Sequence, residues 1–241
     1  MNISYKKGTM LSEVAFSNFP IIAKNCGLDF IIIDNEHGAF DLSSMATMIM
    51  NANLIGINVI VRVGDSGRGI ITKLADMGVK GFLRPMTNTK EEIEELVAYA
   101  KYSPVGKRGI STTRAHTLYQ PPRLEEYKKT ANEQMGIYAQ IETKAGVDNI
   151  ESILDSQGVE GVFIGPNDLA DDLDVKAGSE PIMECIRRVA DVAGKIGKPW
   201  GIITTDKGLI ECAKNNKVDL ISYGSELNML INGCKKIQEV V

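Results

Sequence analysis

The chain has 241 residues, 44% hydrophobic and 24% charged, which fits a globular protein of one large domain or two small ones and is too apolar for a disordered chain. Its 27 basic and 31 acidic residues leave a net charge of −4, with no general attraction for a phosphate backbone or an anionic membrane, so neither nucleic acid nor membrane is expected as a partner. The four cysteines form no C-x-x-C pair and read as reduced thiols of a cytoplasmic protein. The segment MNISYKKGTMLSEVAFSN lacks the apolar stretch of a secretory leader, and no run approaches the roughly 18 apolar residues of a membrane span.

Apolar, β-branched runs recur at 8–14, 30–34, 58–63, 81–86, 135–142, 161–165, 200–205 and 219–224. Most are continuous rather than alternating, as expected of strands covered on both faces. Between them the helical period returns. In 89–100, Ile93, Leu96, Val97 and Ala100 form one stripe behind a capping box of Thr89 and Glu92. Ile182, Ile186, Val189 and Ala193 form another in 179–194, and Asp206 is placed to cap a helix carrying Leu209, Ile210 and Ala213. The stretch 104–131 is the exception and reads as a long loop with a short helix. No linker divides the chain, so 1–241 reads as a single domain. Eight strand–helix units predict a closed (β/α)8 TIM barrel, an α/β fold, with an open doubly wound sheet as the alternative.

In such a barrel the reactive groups gather where the strands end. Asp34, Asn35, Glu36, His37 and Gly38 follow the second run, and Arg62 interrupts the valines of the third. Gln140 and Glu142, two apart, share one side of the fifth, while Asn167 and Asp168 follow the sixth. Glu142 and Asp168 suit a hard octahedral cation such as Mg2+ or Mn2+. The plainer reading has Asp168 capping a helix and Glu142 pairing with a neighbouring strand. Histidine as a residue type titrates near neutrality, so His37 suits a general base as well as a structural role. Arg62 in an apolar barrel requires an anion, either a substrate oxygen or Glu36. His116 has no partner in view, and the cluster Asp171, Asp172, Asp174 lacks EF-hand spacing and reads as a solvated loop. No dinucleotide, Walker, G-x-S-x-G or H-E-x-x-H motif occurs.

The blocks DFIIIDNEHGAFD, VIVRV, GVKGFLRPMTNTKEE, YSPVGKRG, QIETKAGVDNIESIL and GVEGVFIGPNDLA resemble, in order, motifs of the HpcH/HpaI aldolases, metal-dependent enzymes acting on 4-hydroxy-2-oxo acids. The resemblance spans about residues 8–230. It implies a barrel of the phosphoenolpyruvate/pyruvate type, assembled as a homo-oligomer, a hexamer or trimer of dimers. It also implies a divalent metal (Mg2+, Mn2+ or Co2+) on Glu142 and Asp168, His37 as general base and Arg62 steadying the enolate oxygen. Gln140 matches a substrate contact, and the backbone at Asn167 and Asp168 a cradle for the pyruvate carboxylate. Asp76, in LADMG, matches the aspartate that makes the histidine more basic. Because Asp76 ends a helix just before a strand, it has to reach His37 from a neighbouring subunit.

The chain departs from the family pattern at Arg84, Thr87, Asn167, Glu226 and the loop 64–69, positions that bear on substrate choice. The expected reaction is cleavage of a 4-hydroxy-2-oxo acid into pyruvate and an aldehyde, both small molecules. The alternatives are a decarboxylase or other lyase acting on an oxaloacetate-like acid, a Schiff-base aldolase using Lys144, and a non-catalytic barrel that binds a metal or small acid. Arg68, Lys107, Arg108 and Arg114 are candidate partners for a second substrate carboxylate, or simply solvated charges.

Overall fold

A computed structural model describes residues 5–64 and 67–240. Asp65 and Ser66, within the loop 64–69, and the first four residues of the N-terminal segment lie outside the described residues. Eight parallel strands succeed one another around a closed barrel: β1 (Lys6–Leu11), β2 (Phe30–Asp34), β3 (Asn58–Arg62), β4 (Gly81–Arg84), β5 (Gly136–Ile141), β6 (Gly161–Ile164), β7 (Trp200–Ile203) and β8 (Leu220–Ser225). β8 pairs back onto β1, which excludes the open sheet. Each strand falls within, or within two residues of, a run read from the sequence.

The runs are continuous because both faces of every strand are covered. Phe30, Ile32, Ile60, Leu83, Phe163 and Leu220 fill the barrel interior, with Met10, Tyr138 and Ile203 against them. The residues between them, among them Ile31, Ile33, Val59, Val61, Phe82, Val162 and Ile164, face the helices and join the larger core. Across the barrel the Phe163 ring packs tilted against Phe30 at 6.1 Å and edge to face with Tyr138 at 5.5 Å between centroids. Gly8 makes room for them, since a Cβ there would stand 2.4 Å from the Phe30 ring.

The helix Lys90–Ala100 carries the full capping box of Thr89 and Glu92, and its predicted stripe is buried. The helix Glu180–Ile196 buries Ile182, Ile186, Val189 and Ala193, and Asp206 accepts the Leu209 N–H at 2.9 Å. Two expectations need correction. The stretch 104–131 contains a 3-10 turn, Ala115–Thr117, and leads into an 11-residue helix, Leu124–Gln134, longer than its weak period suggested. Asp171 and Asp172 belong to the helix Pro166–Asp172 rather than to a loop, and the Asp172 carboxylate accepts the Lys144 N–H at 2.7 Å. The last helix, Glu226–Val240, buries only Glu226 and leaves Met229, Leu230, Ile231 and Ile237 exposed. Among the described residues no helix is long and apolar enough to cross a membrane.

Candidate active site

The alternation that sends Phe30 and Ile32 into the barrel also sends Asp34 inward at the end of β2. Asp34 and Arg62 are paired residues in the β2–β3 register, so the two side chains meet above the apolar filling. The contact is bidentate: Arg62 Nε donates to Asp34 Oδ1 at 3.0 Å and Nη2 to Oδ2 at 2.6 Å. Glu36 Oε2 lies 3.4 Å from Arg62 Nε as a second carboxylate. Asp34 is buried, which by itself raises its carboxyl pKa. The Arg62 guanidinium and the N–H groups of Glu36 and His37 outweigh that and hold it below the usual carboxylate value. The anion required by Arg62 is therefore first Asp34, a partner the sequence reading did not weigh, with Glu36 behind it. Equal register on adjacent strands was the signal that could have found it.

On β5 the same alternation carries Tyr138, Gln140 and then Glu142 to the inner side. Glu142 is 2% exposed. Its Oε1 accepts from Gln140 Nε2 at 2.7 Å and its Oε2 from the Met86 N–H at 2.9 Å. Met86 presents that N–H from a left-handed backbone, φ 48°, unusual for a residue with a Cβ. Gly165 flanks the carboxylate so closely that a Cβ would stand 2.4 Å from Oε1. Burial pushes Glu142 up to about 7, and the neighbouring Asp168 carboxylate adds to the shift. The Met86 N–H and the Arg62 charge only partly oppose it.

Asp168 sits in the first turn of the helix Pro166–Asp172, whose N-cap is Gly165, so it faces Glu142 rather than capping that helix. Asn167 beside it is exposed. The first amides of such a helix have no intrahelical acceptor. His37 stands at the rim, its side chain 76% exposed and its Nε2 3.8 Å from Glu36 Oε2.

Six predicted or neighbouring groups thus converge: Asp34, Glu36, His37, Arg62, Glu142 and Asp168, with Gln140 beneath them. Asp76 does not join them within the chain. It lies near the end of the helix Arg68–Met77, which runs back to the opposite end of the barrel. There Arg108 Nη2 donates to its Oδ1 at 2.7 Å, and His116 Nδ1 lies 3.0 Å from its carbonyl oxygen. Arg108 is thus buried and, within the chain, lies at the far end from the strand-end carboxylates. Arg84 points to the helix layer, 3.6 Å from Glu92. Lys144 is a surface residue paired with Asp148 at 2.7 Å, not the desolvated amine that a Schiff base needs.

Among the described residues no three His, Cys, Asp or Glu side chains form a preformed metal cage. The donor set is the Glu142–Asp168 pair, and Gln140 Oε1 beside it is buried without a partner. Two carboxylates completed by waters and substrate oxygens suit a Mg2+-like cation. The mutual repulsion that helps to raise the Glu142 pKa is what a dication would relieve.

The fold and this geometry define a (β/α)8 barrel with a cluster of carboxylates around one guanidinium at the C-terminal mouth. Residues 17–232 match the family model for HpcH/HpaI aldolase/citrate lyase. The chain is 32% identical to the hydroxypyruvate/pyruvate aldolase of Roseobacter denitrificans, covering 97% of this chain and 95% of that one. It is 30% identical to a 5-keto-4-deoxy-D-glucarate aldolase of Escherichia coli over 88% of this chain and 83% of the relative. The crystal structure of an HpcH/HpaI aldolase from Desulfitobacterium hafniense superposes with a TM-score of 0.92 at 29% identity, covering 99% of this chain and 93% of that one. The chain belongs to the HpcH/HpaI aldolase/citrate lyase family, and with it to the carbon–carbon lyases.

Proposed function

We propose that this protein, as one barrel domain over 1–241, is a metal-dependent aldolase cleaving a 4-hydroxy-2-oxo acid into pyruvate and an aldehyde. The observation that carries the proposal is the Glu142–Asp168 pair beside the Arg62 guanidinium: a buried and an exposed carboxylate whose repulsion a cation would relieve, facing a fixed positive group. Glu142 and Asp168 would hold Mg2+, Mn2+ or Co2+, which when bound supplies Lewis-acid stabilisation of the negative charge that cleavage leaves on pyruvate.

Arg62 supports the same charge from the other side. Asp34 clamps its Nε and Nη2, so the guanidinium is pre-aimed and no reorganisation is needed as charge develops. The Asn167 and Asp168 amides orient the C1 carboxylate, and Gln140 contacts the substrate. At the rim, His37 takes the C4 hydroxyl proton as the C3–C4 bond breaks and the aldehyde forms, and a proton delivered to C3 of the remaining enolate completes pyruvate. Asp76 of a neighbouring subunit raises the basicity of His37, which makes the working form a homo-oligomer, a hexamer in the family pattern. The identities to relatives named as aldolases of hydroxypyruvate/pyruvate and 5-keto-4-deoxy-D-glucarate support a 2-oxo-acid substrate class.

The test is pyruvate release from a panel of 4-hydroxy-2-oxo acids and from oxaloacetate, with and without EDTA, followed by metal add-back. Release from a hydroxy acid that EDTA abolishes and metal restores is the expected result. Release that survives EDTA rejects the metal role, and turnover of oxaloacetate alone moves the assignment to a decarboxylase.

A further inference from the structure

Glu226 opens the last helix but turns its side chain inward and is 3% exposed. Its Oε1 accepts three consecutive backbone N–H groups, from Ser12 at 2.8 Å, Glu13 at 2.6 Å and Val14 at 3.0 Å. These residues follow β1 at the mouth of the barrel, beyond the last β1–β2 pair at Leu11 and Ile33. Strand pairing no longer satisfies them, and one carboxylate oxygen does so instead. Hydrogen bonds from amides to a charged acceptor are among the stronger ones.

The clamped segment is itself an anchor. The Ser12 carbonyl accepts the Ala39 N–H at 2.8 Å. Gly38 is wedged so tightly that a Cβ there would lie 2.8 Å from the Ser12 oxygen and 2.0 Å from the Asp34 carbonyl oxygen. The turn that carries His37 is therefore held from two sides. Asp34 Oδ1 takes its leading amides, Glu36 and His37, and Ser12 takes its trailing one. Glu226 fixes the second of these anchors.

We infer that Glu226 is a positioning residue for His37, acting through the 12–14 segment. The inference rests on the proposed role of His37 as base. A carboxylate, rather than an amide, is required for two reasons. Three donors converge on one oxygen, and the other oxygen, Oε2, is buried without a partner. The NH2 of a glutamine would be a buried donor with no acceptor there. The shorter aspartate keeps the charge but draws it back by one methylene.

The experiment compares wild-type enzyme with E226D, E226Q and H37A. It reads kcat, the Kd for Mn2+, the Kd for pyruvate at saturating Mn2+, and amide hydrogen exchange at Ala39. Under the proposal E226Q loses at least tenfold in kcat while both Kd values stay within twofold, because Glu142 and Asp168 are untouched. E226D falls between E226Q and wild type, and Ala39 exchange accelerates in both variants in the same order. If E226Q does not fold, E226D carries the test. Wild-type kcat or unchanged Ala39 exchange in E226D, with H37A inactive, overturns the positioning role alone. An H37A enzyme as fast as wild type removes the base assignment and this inference together.

Discussion

The two ends of the barrel both bury charge, and they treat it in opposite ways. At the N-terminal end the charged heads meet protein partners. Arg108 reaches Asp76 and lies 4.6 Å over the Tyr102 ring, and Lys101 Nζ donates to the Asn132 carbonyl at 2.9 Å. Asn132 in turn exchanges two hydrogen bonds with the Tyr102 backbone, at 2.7 Å and 2.8 Å. At the C-terminal end Arg62 and Asp34 are equally well matched, but Glu142 is left facing a second carboxylate. Within the chain, one end ties its charged heads to protein partners. The other keeps an electrostatic conflict that the chain alone does not resolve, as expected where a site must be ready for a ligand.

Removing the conflict should abolish function before it harms the fold. Glu142→Gln is expected to lower kcat/KM by about three orders of magnitude, the scale of removing a group that stabilises developing charge. Steady-state pyruvate release and Mn2+ binding measure it. The metal-free variant should be no less stable than wild type above neutrality, which thermal unfolding checks.

The matched pair at the same end should behave differently. Asp34→Ala leaves Arg62 with Glu36 as its remaining carboxylate at 3.4 Å, among the described residues. Stability is expected to fall by about 3 kcal/mol in urea titration, because one buried charge loses its main partner. Activity should fall with it as Arg62 loses its aim.

At the far end, Arg108→Met keeps the apolar stem against Tyr102 but frees Asp76. A loss of about 2 kcal/mol is expected, since Asp76 is partly exposed and water recovers some of its solvation. Mn2+ affinity should not change. A weakened metal site in R108M would break the division between the two ends.

The last expected effect is a slope with pH rather than a step. The Glu142 pKa is raised from its ordinary 4.5 to about 7, so in this window the metal-free folded state binds more protons than the unfolded chain. Stability should therefore decline as pH rises from about 4.5 to about 7 and level off above it. Melting curves in EDTA should show that decline in wild type and lose it in E142Q, and saturating Mn2+ should suppress it.

Much of this was legible in the chain because parallel strands covered on both sides leave a clear trace, eight apolar runs separated by helical segments. The capping box at Thr89 and the stripe from Ile182 to Ala193 are local signals of the same kind. The pairing of Glu142 with Asp168 followed from strand ends converging once a barrel was assumed. What was illegible is non-local. Asp34 as the main partner of Arg62 depends on the β2–β3 register, and the wedge of Gly165 against Glu142 depends on how closely β5 and β6 approach. The Arg108–Asp76–His116 cluster joins residues 32 and 40 positions apart through a segment with almost no period. Glu226 read only as a departure bearing on substrate choice, because its three donors lie more than 200 residues away in sequence.

The aromatic packing inside the barrel has a kinetic consequence. Phe30, Tyr138 and Phe163 pack across the strand cylinder beneath Gln140 and Glu142 and so fill it below the carboxylates. A ligand bound above them would enter and leave past the strand ends. In the proposed reaction, a substrate anchored by its acid end above these rings and cleaved near the rim would shed its outer fragment first, with the inner fragment leaving after it. Release would then be ordered, and in the synthetic direction the inner partner would load before the outer one.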